Sequence, residues 1–157
     1  MNARPIVYAI VATGALVGSA AALEVSHSAK VAGTPDAVWQ KIGAFCAIQD
    51  WHPAVSKCEQ TEEGGETYRT LTLGDGGTFR ERLIEQTDTS YTYEIIESPL
   101  PVQNYRATIS VSAEGEATKV DWKGSFDAKD ASDADAQAVI GGIYQAGLDA
   151  IASSSGN

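Results

Sequence analysis

Apolar and polar residues alternate at the start of the mature-looking chain. Val25, His27, Ala29 and Val31 fall on one face, and Glu24, Ser26, Ser28 and Lys30 on the other. A period of two marks a half-buried strand. The period then changes. Thr34-Pro35-Asp36 offers an N-cap hydroxyl, a proline for the first helical position and an acid for the first turn. Val38, Trp39, Ile42 and Phe45 recur at helical spacing, which predicts a short helix over 35–46, with Pro53 stopping anything helical before it. From about 54 to 127 the period of two returns. Strands are expected at 55–62, 66–73, 78–87, 90–97, 104–113 and 117–127, separated by short Gly-, Asp- and Pro-containing links that make antiparallel neighbours. Ser132-Asp133-Ala134-Asp135 signals a helix start, and 133–152 is the longest helix. Its apolar stripe includes Val139, Ile143, Gly147 and Ala150, widened by Ile140, Leu148 and Ile151. Residues 153–157 read as a flexible tail.

This order defines an α+β domain with seven antiparallel strands, one short helix after strand 1 and one long helix at the end. A single helix cannot cover both faces of seven strands, so the sheet must curl around it. A curved sheet gripping a helix leaves room for a cavity between them.

Composition narrows the function. The chain has 157 residues, 43% hydrophobic and 20% charged, which suits one domain and is too apolar for disorder. Eleven Lys and Arg against 21 Asp and Glu give a net charge of −10. That balance excludes a nucleic-acid partner, which requires a basic face, and disfavours an anionic membrane surface. Residues 1–22 read as a secretory signal peptide: Arg4 is the only charge, 6–17 is apolar, and Ala20 and Ala22 fit an A-x-A cleavage site. Cleavage there leaves 135 residues at a charge of −11 and no stable membrane anchor. The alternative is an uncleaved anchor, since 6–23 is 18 residues and about 17–25 are needed to span. Export implies a periplasmic or secreted protein. In such a compartment Cys46 and Cys58 are read as a disulfide clamping 46–58, with two buried thiols as the alternative. There is no C-x-x-C and no Cys–His cluster, so no metal site and no cofactor is expected.

Several segments carry a family resemblance: Thr34-Pro35-Asp36-Ala37-Val38-Trp39, Phe45, Trp51-His52-Pro53, Cys58, Glu81-Arg82-Leu83, Tyr93-Glu94-Ile95-Ile96, Pro99-Leu100-Pro101-Val102, Asn104-Tyr105 and Trp122. With this element order, the sequence resembles the START-like (SRPBCC) superfamily over about 23–152. That is the helix-grip fold of the birch-pollen allergens, the plant abscisic-acid receptors and the bacterial polyketide cyclase/dehydrase-like proteins, and the last subgroup fits best. The resemblance implies a small apolar or amphipathic ligand in the cavity. Laid on the receptor branch, it implies ligand contacts at Tyr93, Ile95, Val102, Tyr105 and Ala107, a pocket acid at Glu81, a pocket position at His52, and facing helix positions at Val139, Ile143 and Gly147. The receptors' Gly-Leu-Pro gate is absent from the 74–77 loop, which reads Gly-Asp-Gly-Gly, so hormone gating does not transfer.

Strand parity adds a reading of its own. Tyr91, Tyr93 and Ile95 share a face, as do Tyr105, Ala107, Ile109 and Val111, and Val120, Trp122, Gly124 and Phe126. These are the concave faces, rich in aromatics with a polar tip, as a ligand pocket requires; filling a small core is the plainer alternative. Ala107, Gly124 and Gly147 are small and leave volume on these faces. Glu81 shares the inward face with Phe79 and Leu83, so its carboxylate must be paired, hydrated or protonated, with His52, a tyrosine hydroxyl or a ligand as partner; a structural salt bridge near the sheet edge is the plainer alternative. Arg80 and Arg82 take the opposite parity and, with Arg69, read as a solvated outer face. The expected function is an exported binding protein for a small hydrophobic or amphipathic ligand, contacted by Trp51, His52, Phe79, Glu81, Tyr93, Tyr105 and Trp122 among others. The alternatives are a cofactor-free cyclase or dehydratase using His52 and Glu81 as acid and base, and an accessory protein that docks on an unknown protein partner.

Overall fold

The computed structural model describes residues 20–154, so the leader predicted at 1–22 lies outside the described residues but for its last three positions. The elements are β1 (Leu23–Ala32), α1 (Pro35–Ile42), α2 (Ile48–Trp51), β2 (Val55–Glu63), β3 (Glu66–Leu73), β4 (Thr78–Gln86), β5 (Ser90–Glu97), β6 (Val102–Glu114), β7 (Ala117–Ala128) and α3 (Asp133–Ser154). The strands form one antiparallel sheet in the order β1-β7-β6-β5-β4-β3-β2. Strands β2 to β7 therefore meander in sequence, as their short links dictate. β1 closes on β7 in an unbroken register from Leu23↔Phe126 to Ala32↔Ala117. The open sheet curves around α3, the helix-grip architecture expected from the sequence. Each of the six expected strands after β1 lies within two residues of its observed bounds.

The helices differ in detail. α1 starts as its cap motif predicts, with the Ala37 N–H donating to Thr34 Oγ1 at 3.3 Å. It stops at Ile42 rather than running to Cys46. Gly43 caps it by donating to the Trp39 carbonyl at 2.7 Å. The Trp39 indole lies on Gly43 so closely that a Cβ there would fall 2.4 Å from the ring, so only glycine lets this ring fold over the helix end. The chain then turns and makes the separate short helix α2. At the other end α3 continues through Ser154, past the predicted limit. Ser153 Oγ donates to the Asp149 carbonyl and Ser154 Oγ to that of Ile151.

The stripe on α3 is rotated from the predicted one. Its buried residues are Ala136, Ile140, Tyr144, Gly147, Leu148 and Ile151. Val139, expected to face the pocket, is 40% exposed. The sheet is curved and meets the helix on one side, so the contact line follows 136, 140, 144, 148 and 151 and leaves 139 one residue off the interface. Cys46 and Cys58 are joined by a disulfide that ties the link before α2 to β2, with Cα atoms 5.5 Å apart. Replacing both (Cys46→Ala with Cys58→Ala) is expected to cost about 2–4 kcal/mol of stability. Urea denaturation reads this, and reduced wild-type protein should match the variant.

Candidate functional site

The polar centre of the interior is set by strand register. β3 pairs with β4 so that Arg69 lies opposite Glu81 and Leu71 opposite Phe79. All four side chains share the concave face. Arg69 is fully buried, so it does not belong to the solvated outer face expected of it. Its parity with Leu71 and Leu73 was the available signal. Arg80 and Arg82 do face outward, in half-exposed pairs with Glu63, Glu66 and Glu94.

Arg69 answers the question posed by Glu81. Its Nε donates to Glu81 Oε2 at 2.6 Å. Its Nη1 donates to the Phe45 carbonyl. Its guanidinium carbon lies 4.1 Å over the Phe45 ring centre and 5.0 Å from that of Tyr93. Burial opposes the charge on Arg69, but the Glu81 carboxylate, with Tyr91 and Tyr93 adding to it, outweighs this and raises the Arg69 pKa above its ordinary value. The partner of Glu81 is therefore neither His52 nor a tyrosine but an arginine across the sheet, the structural salt bridge of the plainer reading.

Beside this pair runs a line of hydroxyls. Trp122 Nε1 donates to the Tyr93 hydroxyl at 3.2 Å. Tyr93 and Tyr105 hydroxyls are 3.3 Å apart, and Tyr105 and Tyr144 hydroxyls 2.5 Å apart. Burial pushes the Tyr93, Tyr105 and Tyr144 hydroxyls above their usual range, so all three stay neutral hydrogen-bond donors. Tyr144 was not foreseen. It stacks on Trp122 with ring centres 4.5 Å apart and planes 12° from parallel, and the helical spacing 140, 144, 148 was its only trace in the sequence. Gly124 makes room for it, since a Cβ there would lie 2.1 Å from the Tyr144 oxygen.

His52 sits at the end of α2, 5% exposed. Its Nδ1 accepts from the Ala54 N–H at 3.2 Å, and its Nε2 bonds with the Ile143 carbonyl at 3.0 Å. These partners define the neutral tautomer with the proton on Nε2. Desolvation lowers the His52 pKa from its ordinary 6.5; the Ile143 carbonyl raises it in part, and the Arg69 charge lowers it further. Both ring nitrogens are thus committed to backbone, and Glu81 to Arg69. His52 and Glu81 are bonded to other partners and not to each other in this arrangement.

Between the sheet and α3 lies a cavity of about 70 Å³. His52, Phe79, Glu81, Tyr93, Ile95, Tyr105, Trp122 and Ile143 line it, as the sequence reading placed them, together with Ile48, Leu71, Leu100 and Ile140. The other expected contacts fall elsewhere. Val139 is on the surface. Val102 is buried at the base of an outer cleft, not in the cavity. Ala107 is covered by packing beside Gly124. Trp51 packs against Trp122, ring centres 5.6 Å apart, with its indole N–H buried and without a hydrogen-bond partner among the described residues. Gly147 is under Trp51, His52 and Trp122, each within 3.0 Å of where its Cβ would be. The small residues Gly124 and Gly147 thus admit aromatic rings instead of leaving empty volume. No group of three or more His, Cys, Asp or Glu among the described residues is placed to hold a metal ion.

This interior, an apolar cavity under a gripping sheet with a few buried polar groups, is that of the START-like proteins. The chain belongs to the family described as polyketide cyclase / dehydrase and lipid transport, which matches residues 22–156. Solved structures agree. It is similar to the protein XoxI from Bacillus cereus, at 38% identity over 84% of this chain and 94% of that one, with a TM-score of 0.79. It is similar to an uncharacterised protein from Bacillus thuringiensis, at 36% identity over 86% of this chain and all of that one, with a TM-score of 0.81. The Zhui aromatase/cyclase from Streptomyces sp. R1128 shares the fold at 20% identity, over 85% of this chain and 93% of that one, with a TM-score of 0.68. No match is found among curated proteins.

Two outcomes test the site's energetics. Arg69→Met and Glu81→Gln should each cost about 3–5 kcal/mol, because each strands a buried polar partner, while Arg69→Met with Glu81→Leu should cost less than either. Chemical denaturation of the three variants measures this. The second concerns His52. The unfolded chain protonates it near pH 6.5 and the folded state resists doing so, so its contribution is complete above that pH and is lost as pH falls toward the lower folded-state value. His52→Gln should flatten that part of the stability profile as pH falls below about 6.5.

Proposed function

We propose that this protein binds a small, neutral, apolar or amphipathic molecule carrying an oxygen acceptor, between the sheet and α3. The carrying observation is the hydrogen-bond line that borders the cavity. Trp122, Tyr93, Tyr105 and Tyr144 bring four N–H or O–H hydrogens to three mutual hydrogen bonds. One hydroxyl hydrogen is left over. Tyr144 does not line the cavity, whereas Tyr93 does. With Tyr144 donating to Tyr105 and Tyr105 to Tyr93, the spare hydrogen falls on Tyr93 and meets the cavity, where a ligand oxygen would accept it. With Tyr93 and Tyr144 both donating to Tyr105 it falls on Tyr105, which also lines the cavity, and only the fully reversed direction leaves it at Tyr144. The charges inside, Arg69 and Glu81, cancel in their pair, which favours a neutral guest. The family's description, which includes lipid transport, supports the same reading.

Binding is preferred to catalysis because the groups suited to proton transfer are committed elsewhere. The reading includes export to an oxidising compartment, which the disulfide favours. Thermal-shift and NMR titrations with cyclohexanone, phenol and benzene test the binding role. The two oxygen-bearing probes should stabilise the protein more than benzene does. Tyr93→Phe should remove about 1 kcal/mol of that difference. No shift with any of the three would overturn the reading.

A further inference from the structure

The inner cavity is small for the molecules its lining suits. Its roughly 70 Å³ is about half the 150 Å³ that admits a benzene ring in an engineered protein cavity. A larger guest must extend past the wall. On the helix side the wall is tied. His52 bonds to the Ile143 carbonyl of α3 and to the Ala54 N–H, and the disulfide fixes the segment before α2 to β2.

On the sheet side the wall is split. β5 and β6 pair from Ser90↔Ser110 to Glu94↔Arg106, and the ladder ends there. Yet β5 runs on to Glu97 and β6 begins at Val102. Past the split β5 stays on β4, with Glu81↔Ile95 and Arg80↔Glu97. β6 stays on β7, with Val102↔Ala128 and Gln103↔Asp127. An irregularity between Gln103 and Arg106, with Asn104 at φ 52°, carries β6 away from β5. The gap opens on an outer cleft of about 1020 Å³. Ile95 and Tyr105 form walls of both the cleft and the cavity. Leu100, half-buried in the 98–101 link, borders the cavity at the same end.

We infer that the cleft and the cavity are two halves of one site for an elongated amphipathic molecule, reached through the β5–β6 split with Leu100 as its plug. This rests on the ligand-binding reading above and adds the route and the shape of the ligand. The short apolar end occupies the cavity. The polar end lies in the split, where the facing strand edges have no ladder partner and offer backbone N–H and C=O groups. Glu94 and Glu97 share the cleft with Arg106 and Lys129, so it favours an uncharged or zwitterionic polar end over a strongly ionic one.

The test uses N-phenyl-1-naphthylamine as a fluorescent probe in stopped-flow mixing, and 1-octanol in NMR titrations of the whole protein. Leu100→Trp should slow probe association about tenfold and Leu100→Ala should speed it. The alanine variant keeps the test valid where the tryptophan one fails to fold. Octanol should shift the amides of 95–97 and 102–105. Unchanged association in Leu100→Ala, or shifts confined to 48–55 and 139–147, would overturn the route while leaving the binding role standing. Failure of wild-type protein to bind either probe would remove both.

Discussion

One guanidinium organises the interior. Arg69 projects from β3 into the concave side and meets Glu81 of the next strand, the Phe45 carbonyl between the two short helices, and the rings of Phe45, Tyr91 and Tyr93, while its Nη2 is buried without a hydrogen-bond partner among the described residues. A charge removed from water is tolerated only when it is paired, as the Glu81 carboxylate pairs this one. The consequences spread outward. The 43–47 segment is drawn over the sheet, the α1–α2 break is fixed in place, and β3 and β4 are held in a register that puts Leu71 and Phe79 inward with the pair. The ion pair specifies which way these elements assemble more than it adds to their stability.

The hydroxyl line forms the second polar layer and links sheet to helix. Trp122 on β7, Tyr93 on β5, Tyr105 on β6 and Tyr144 on α3 meet through side-chain polar tips while their rings fill the core. Such contacts demand close approach, and glycine supplies it. Gly124 under Tyr144, and Gly147 under Trp51, His52 and Trp122, are positions where an aromatic ring occupies the space a Cβ would take. The result is an interior more filled than its small residues suggest.

His52 shows how the same residue serves two readings. Its place in a link beside the cavity suits chemistry, but its ring is bonded to the backbone on both sides. It holds the end of α2 to the middle of α3 and, with the disulfide, leaves the opposite wall as the freer one. The family relationship, complete over the folded domain, sets the frame for a cavity protein. In this chain little of that cavity is empty, and part of its boundary is a split sheet.

The sequence by itself determined the strands, their order and the aromatic concave faces, because periods of two and 3.6 and the turn residues are local properties. Strand parity, fixed by the pleat, put Phe79, Glu81, Tyr93, Ile95, Tyr105 and Trp122 on the inward faces that line the cavity, while His52 and Ile143 came from the family resemblance. The sequence did not determine which face Arg69 takes, because the preference of a charged side chain for water argues against burial until its partners are known, and Glu81, Phe45 and Tyr93 are brought to it only by register and curvature. It did not place Val139 and Tyr144 correctly on α3, because a stripe with apolar residues at 139, 140, 143, 144, 147 and 148 fits two rotations and only packing on the curved sheet selects one. Whether a glycine leaves a hole or admits a ring, and where two neighbouring strands part, are likewise decided by atoms distant in the chain.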